Sequence, residues 1–408
     1  NSRTYTVSPY HLKVPALGDR MKAADPSVRV VTVAGKDRAA VMMGGHAPDQ
    51  RWWWAKDRFV THAGAVPPPI TAQVNASIAD ALSRARPALA LSPLCAPKNK
   101  AVAVGDFTVG THRFARAGAD SSAFTGSPEL DAATLTMAAA LTQQLQLGRG
   151  GRTDLLAIGL SATDYVGHRY GTDGVEMCLQ LQSLDADLAS FFTVLDRTGI
   201  DYAVVLTADH GGNDLPERDG PPSARALEAL DPSALSAAIG AELGLTGPII
   251  RGDGPAGDMY IDRGDPARNA AIQAAVKRRL ANHPQVEAVL SWAELSAMPV
   301  PTGSAASWTA AQRARASFDP DRSGDLVMLL KPEITPIPNP SPGYVATHGS
   351  PWDYDRQVPI LFWWKGVRAA ERGESARTVD ILPTLATLIG LPVSESEIDG
   401  RALSLGAR

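Results

Sequence analysis

Cysteine is almost absent from these 408 residues, with Cys95 and Cys178 alone. Their spacing matches no thiolate metal motif, which excludes a cysteine-built zinc site. Both are expected to be buried free thiols, Cys178 on the inner face of a helix, rather than a disulfide, because free cysteine is among the most buried residue types. No apolar run reaches the ~20 residues of a membrane span. Charge of one sign is lacking too: 39 Lys and Arg stand against 43 Asp and Glu, a formal net charge of −4, and no basic stripe marks a nucleic-acid surface. At the start, Asn1-Ser2-Arg3 shows neither an initiator Met nor a charged-then-apolar leader, so the chain reads as processed or as part of a longer one.

What is present is an ordinary globular composition, 44% apolar, long enough for one large α/β domain with a decorated edge, or for two domains. Its most informative stretch runs from Thr153 to Asn213. The apolar run Leu155 to Leu160 breaks at Ser161-Ala162-Thr163 into Asp164-Tyr165-Val166-Gly167-His168. A helix over residues 174–198 carries apolar positions Val175, Cys178, Leu181, Leu184, Leu188, Phe191, Phe192 and Leu195 at three-four spacing, one buried stripe. A second strand, Tyr202 to Thr207, ends at Asp209-His210-Gly211-Gly212. Two parallel strands joined by a helical crossover would each deliver an Asp and a His to the carboxyl end, where open α/β sheets bind ligands. Imidazole and carboxylate suit zinc, manganese and related ions. Asp209 and His210 are adjacent, so in extended backbone they face opposite sides and one could serve each of two ions. Two ions ~3.5–4 Å apart clamp both oxygens of an in-line displacement at phosphorus.

These residues, with Thr347-His348-Gly349-Ser350 near the end, resemble the metal-ligand series of the alkaline phosphatase superfamily, in its order. The resemblance implies that Asp164, His168 and His348 hold one zinc and that Asp209 and His210 bind the other. It also implies the fold: α/β, doubly wound, with a mostly parallel central sheet, helices on both faces and inserted cap or rim segments.

Earlier in the chain, a short helix over residues 14–25 precedes a strand, Val28 to Ala34, which ends in Gly35-Lys36-Asp37-Arg38. Two cations at a strand end suit an anionic oxygen; a solvated pair at a turn is the plain alternative. Lys36-x-Arg38, followed by Ala39-Ala40 and by Gly44-Gly45-His46, is similar to the pattern of the threonine-nucleophile alkaline phosphatases. There the Lys and Arg contact phosphate oxygens. A dianionic monoester has one more charged oxygen than a diester, so two preorganised cations favour monoesters.

Residues 1–54 and 152–213 are therefore read as core, 55–151 as an inserted cap, 214–256 as a second insertion and 257–408 as the C-terminal core with His348. His62 and His112 fall in the cap and are expected at the surface or as capping residues. Trp52-Trp53-Trp54 and Trp363-Trp364 are expected in core and rim packing. In 257–408, a strand over Gly257 to Asp262, a helix over 266–281 and a strand over 286–290 make a compact βαβ-like piece, and a further strand over 326–330 follows. Asp319-Pro320-Asp321-Arg322-Ser323-Gly324-Asp325 mimics the start of a calcium loop, yet its twelfth position is Leu330 and not Glu; a turn into the strand is the favoured reading, with Ca2+ as the structural alternative.

One part of the family pattern is missing. Residues 1–27 hold no strand ending in Asp-Gly and no Ala-Pro-x-Thr helix start, and Thr4, Thr6 and Ser8 are poor nucleophiles in an extended segment. The expected nucleophile, a threonine, and one further ligand would lie upstream, in an N-terminal segment of the same enzyme. The intact enzyme would be a two-zinc hydrolase of small-molecule phosphate monoesters, periplasmic or extracellular by resemblance. Three other readings stand beside it: a nucleotide pyrophosphatase or phosphodiesterase, a relative of the cofactor-independent phosphoglycerate mutases, and a non-catalytic metal- or phosphate-binding fragment.

Overall fold

The computed structural model describes residues 5–221, 224–261 and 265–405; Thr4 and Asp262, named above, lie outside the described residues. Twelve strands are used here: β1 Val30–Ala34, β2 Gln50–Ala55, β3 Arg58–Thr61, β4 Val102–Val104, β5 Phe107–Val109, β6 Leu155–Gly159, β7 Ala203–Thr207, β8 Ile250–Arg251, β9 Gly257–Ile261, β10 Val286–Ser291, β11 Leu326–Leu330 and β12 Ile360–Trp364. The fold is α/β with a mixed sheet. Its main sheet has the order β3-β2-β1-β6, with β1 parallel to both β2 and β6, while β3 returns antiparallel.

Strand β1 is buried throughout, which a central strand covered on both faces requires. Side chains alternate across it. Val31, Val33, Trp52 and Trp54 join Leu130, Met137 and Leu141 of the helix Pro128–Gln144 on one face, and Ala34 and Trp53 pack with Ala40 on the other. The Trp52–Trp54 triplet is thus core, with Trp54 Nε1 donating to Thr125 Oγ1 at 3.1 Å.

The expected crossover differs in one respect. The helix Val175–Thr198 does run between β6 and β7, but β7 hydrogen-bonds antiparallel to β12 and not to β6. Every residue of β6 is half-buried. Leu361 and Trp363 on β12 are 59% and 43% exposed. A second sheet, β10-β11-β9-β8, is antiparallel throughout and closes its own core around Leu235, Ile239, Ile272, Val276, Leu326 and Met328.

One expectation from the sequence changes here. Cys95 and Cys178 are not free thiols: they form a disulfide, S–S 2.07 Å, across a sequence separation of 83. Cys95 lies at the turn Ala96–Lys98, which the fold lays against the first turns of the long helix. Sequence spacing carries no trace of that approach. The Asp319–Asp325 turn is held by protein donors: Lys13 Nζ reaches Asp319 and Asp321 at 3.2 Å each, Asp319 accepts the Asp321 amide, and Asp325 accepts the Ile261 amide at 2.7 Å.

Candidate metal centre and its surroundings

Asp164 and His168 do not lie in an open loop after β6. They sit at i and i+4 on the helix Ala162–Tyr170, which puts both on one face. The preceding Ser161 makes no capping bond with its side chain. The Ala162 amide instead donates to Asp131 on the helix Pro128–Gln144, 2.9 Å away. Gly35 lets β1 end against this point, because a Cβ there would stand 2.8 Å from Ser161 Cβ.

His210 comes from the coil after β7 and His348 from the loop before β12. Two close approaches fix them. The Gly211 and Gly212 amides donate to the carbonyls of Asp355 and Tyr354 at 2.7 and 3.0 Å, and a Cβ on Gly211 would collide with Tyr354 O at 2.0 Å. The Asp355 carboxylate then accepts the Ser350 amide at 2.7 Å, pinning the His348 loop to the end of β7. Asp355 is buried beside the Gly211-Gly212 pair, a long-range approach that no local sequence pattern signals.

The three imidazoles converge on one oxygen. Asp164 Oδ1 is buried without a well-formed hydrogen bond, yet His348, His168 and His210 Nε2 stand 3.1, 3.4 and 3.4 Å from it. His168 Nδ1 faces Ala346 O and His210 Nδ1 faces Gly211 O, each at 2.8 Å. A carbonyl only accepts, so these Nδ1 atoms carry the protons and the Nε2 lone pairs point at the carboxylate. Lone pairs facing a carboxylate oxygen repel unless a cation lies between them. Asp164, His168 and His348 also bring one ligand atom each within 4.8 Å of one another, and backbone carbonyls behind ligating imidazoles are the usual way such rings are oriented. The residues fit a divalent ion.

Electrostatics agree. Burial pushes the Asp164 carboxyl up, but the His348 contact and the Lys36 ammonium outweigh it and hold it well below the ordinary range. Burial holds His168 below its ordinary value, favouring the neutral ligating form. Lys36 Nζ pairs with Asp164 Oδ2 and lies 4.8 Å from the Tyr165 ring centroid. Arg38 is exposed in the first turn of the helix Asp37–Gly44, near enough for its charge to act on Tyr165. Asp209 is the residue the structure leaves outside: its side chain is 90% exposed, 3.6 Å from His210 Nε2, while the Asp164 side chain is 14% exposed. His46 of the Gly44-Gly45-His46 pattern bonds Asp19 and Leu12 O and stands apart as a clasp. His62 meets Thr61, and His112 stacks on Tyr170.

Compared with known proteins, residues 10–351 match the sequence pattern of the type I phosphodiesterase / nucleotide pyrophosphatase family. The chain belongs to that family. Membership places it in the alkaline phosphatase superfamily that the ligand series resembles. It is similar to alkaline phosphatase PhoK of Sphingomonas sp, 52% identical over 415 residues covering 100% of this chain and 74% of PhoK. It is also similar to alkaline phosphatase PhoD of Zymomonas mobilis, 45% identical, covering 99% of this chain and 71% of PhoD. The crystal structure of wild-type alkaline phosphatase PafA superposes with a TM-score of 0.83 at 23% identity, over 98% of this chain and 78% of that one; that likeness establishes the shared fold.

Proposed function

We propose that the intact protein is a zinc-dependent alkaline phosphatase acting on phosphate monoesters through a covalent phosphothreonine. The observation that carries this reading is the convergence of three Nε2 atoms and Lys36 on Asp164, and the PhoK and PhoD names support phosphatase activity. Zinc held by Asp164, His168 and His348, with a second ion at Asp209 and His210, would supply Lewis acidity and lower the pKa of an oxygen nucleophile. The chain's own groups do the rest. Lys36 and Arg38 offset charge on the phosphate oxygens as the ester bond breaks, which favours a dianionic monoester over a diester. His168 and His210, held by their carbonyl partners, cannot swing away to accept protons. The threonine hydroxyl displaces the alcohol from phosphorus, and water then cleaves the phosphothreonine.

We place that threonine outside these residues, on a strand entering between β6 and β7. Support comes from strands whose carboxyl ends share one site although the strands do not pair, and from the half-buried apolar edge of β6. A periplasmic or extracellular location is part of the proposal and accords with the disulfide.

The experiment is turnover of p-nitrophenyl phosphate and of bis-p-nitrophenyl phosphate by the longer protein, with zinc and after EDTA, and phosphopeptide mapping after an acid quench. We expect zinc-dependent turnover, a monoester preference, and phosphate on a threonine outside the 408 residues. A preference for the bis-ester would favour a phosphodiesterase, the activity the family's description names. Phosphate mapped to Thr347 or another hydroxyl within this chain would sink the placement of the nucleophile.

A further inference from the structure

Behind the metal cluster lies a polar knot that the proposed chemistry does not use. Asp131 is fully buried in the helix Pro128–Gln144. One of its oxygens accepts the Ala162 amide and the other accepts the Gln180 side-chain amide, each at 2.9 Å. Gln180, also fully buried, belongs to the helix Val175–Thr198. Its amide nitrogen reaches toward Thr163 Oγ1 at 3.4 Å. Three helices therefore meet at one carboxylate, and among the described residues no cation pairs with it. The same three helices contribute Leu130, Ala133, Ala162 and Phe191 to one buried apolar cluster.

A buried carboxylate without a counter-ion is costly, and an apolar residue would fill this helix face more cheaply. What the carboxylate provides is a fixed acceptor at the amino end of the helix bearing Asp164 and His168, where the helix dipole favours negative charge. The helix has nine residues, so its rotation is set within two turns of the anchor. A small rotation about its axis would carry Asp164 and His168 out of reach of His348 together.

We propose that Asp131 is a positioning residue for the metal centre, seating the Asp164–His168 helix through the Ala162 amide, with Gln180 holding the carboxylate in place. The inference rests on the metal reading above. Outer partners of ligands typically change metal affinity by ~10–100-fold when removed, and Asp131 acts through one backbone amide.

The test compares zinc affinity, by chelator competition, in wild type and in Asp131→Ala, Asp131→Asn and Gln180→Ala, with far-UV circular dichroism confirming folded protein. We expect Asp131→Ala to weaken zinc binding about tenfold or more, Gln180→Ala to weaken it less, and Asp131→Asn to restore it nearly to wild type. Asn keeps an acceptor for Ala162, and the Gln180 amide can turn to accept from Asn. That rescue separates positioning from bulk packing. Unchanged affinity in folded Asp131→Ala overturns the proposal, as does equal loss in Ala and Asn variants. If Asp131→Ala does not fold, unchanged affinity in Gln180→Ala overturns it and a rescued Asn variant supports it. A wild type that binds no zinc takes the metal reading down with it, an outcome distinct from every variant difference.

Discussion

Asp164 and Asp209 each follow an apolar strand and each has a histidine near it in sequence, yet the first is 14% exposed and the second 90% exposed. The difference lies in what is packed behind them. Asp164 rides on a helix seated by Asp131 and backed by the first turns of the helix Val175–Thr198, where Val175, Glu176, Met177, Leu179 and Gln180 are buried. Asp209 leaves β7, whose strand partner is β12, and past Gln180 the long helix exposes Leu181. Residue type decides which ions a site can bind; the layer behind decides whether the ligands are already in place.

The largest way to break this contrast is to loosen the better-packed side. The Cys95–Cys178 disulfide clamps the segment around Cys95 onto the long helix, and the buried Glu176 carboxylate accepts the amides of His112 and Arg113 from nearby in the same stretch. In the chain-entropy picture a closed loop of this size stabilises by about 4–5 kcal/mol. Urea unfolding of the wild type with and without reductant, and of Cys95→Ala/Cys178→Ala, should show a loss of that order. Coincident curves would mean that Glu176 and the packing alone hold the segment.

Next in size is the ligand comparison. Asp164→Ala should weaken the tight zinc site by more than about 100-fold, beyond what outer partners cost. Asp209→Ala should leave that site and lower the stoichiometry from about two ions to about one. Calorimetric titration of both variants decides it; equal loss of all binding would mean that the two Asp residues serve one ion and that the exposure difference carries no functional meaning.

The sequence was informative wherever one segment carries both strand and ligand. The apolar run Val28 to Ala34 identified β1, and the apolar runs before Asp164 and Asp209 and after His348 located the three ligand-bearing ends. It was silent where the partner is distant. That Asp164 and His168 share a helical turn depends on a cap supplied by Asp131, 31 residues away, and local reading found only a Ser that does not cap. Cys95 and Cys178 meet for the same long-range reason. The pairing of β7 with β12 could not be read from two apolar strands that pattern alike. The one local hint of the knot was Asp131, an acidic residue on the buried face of the helix Pro128–Gln144.

Asp131 also gives a pH signature. Burial pushes its carboxyl up to about 7, against the pull of the Ala162 and Gln180 bonds and with help from the Asp187 charge. Its folded value lies above its unfolded one of 3.8, so the folded state holds the proton more tightly between the two. This contribution to stability is full below the unfolded value and is lost as pH rises through about 7. Asp131→Asn should be more stable than wild type by about 1–2 kcal/mol near pH 8 and lose that advantage near pH 4. Urea midpoints at both pH values check it, and a pH-independent difference would mean that Asp131 does not change charge in the folded protein.

The smallest expected effect lies on the far rim, at the clasp between the first helix and the end of the helix Asp37–Gly44. His46 bonds Asp19 through Nδ1 and Leu12 O through Nε2. The Leu12 carbonyl only accepts and the Asp19 carboxylate is an acceptor when ionised, so both ring nitrogens must carry protons, and chiefly the Asp19 bond raises the His46 pKa. Here the sign is the same for a different reason: stability from the clasp is full below the ordinary histidine value and is lost as pH rises through the raised one. His46→Gln can still donate to one partner, not both, so it should cost a little near pH 5.5 and nothing near pH 9. Because the ring is well exposed, salt should shrink the effect further. A cost that persists unchanged into alkaline pH would place the contribution of His46 in packing and not in its charge.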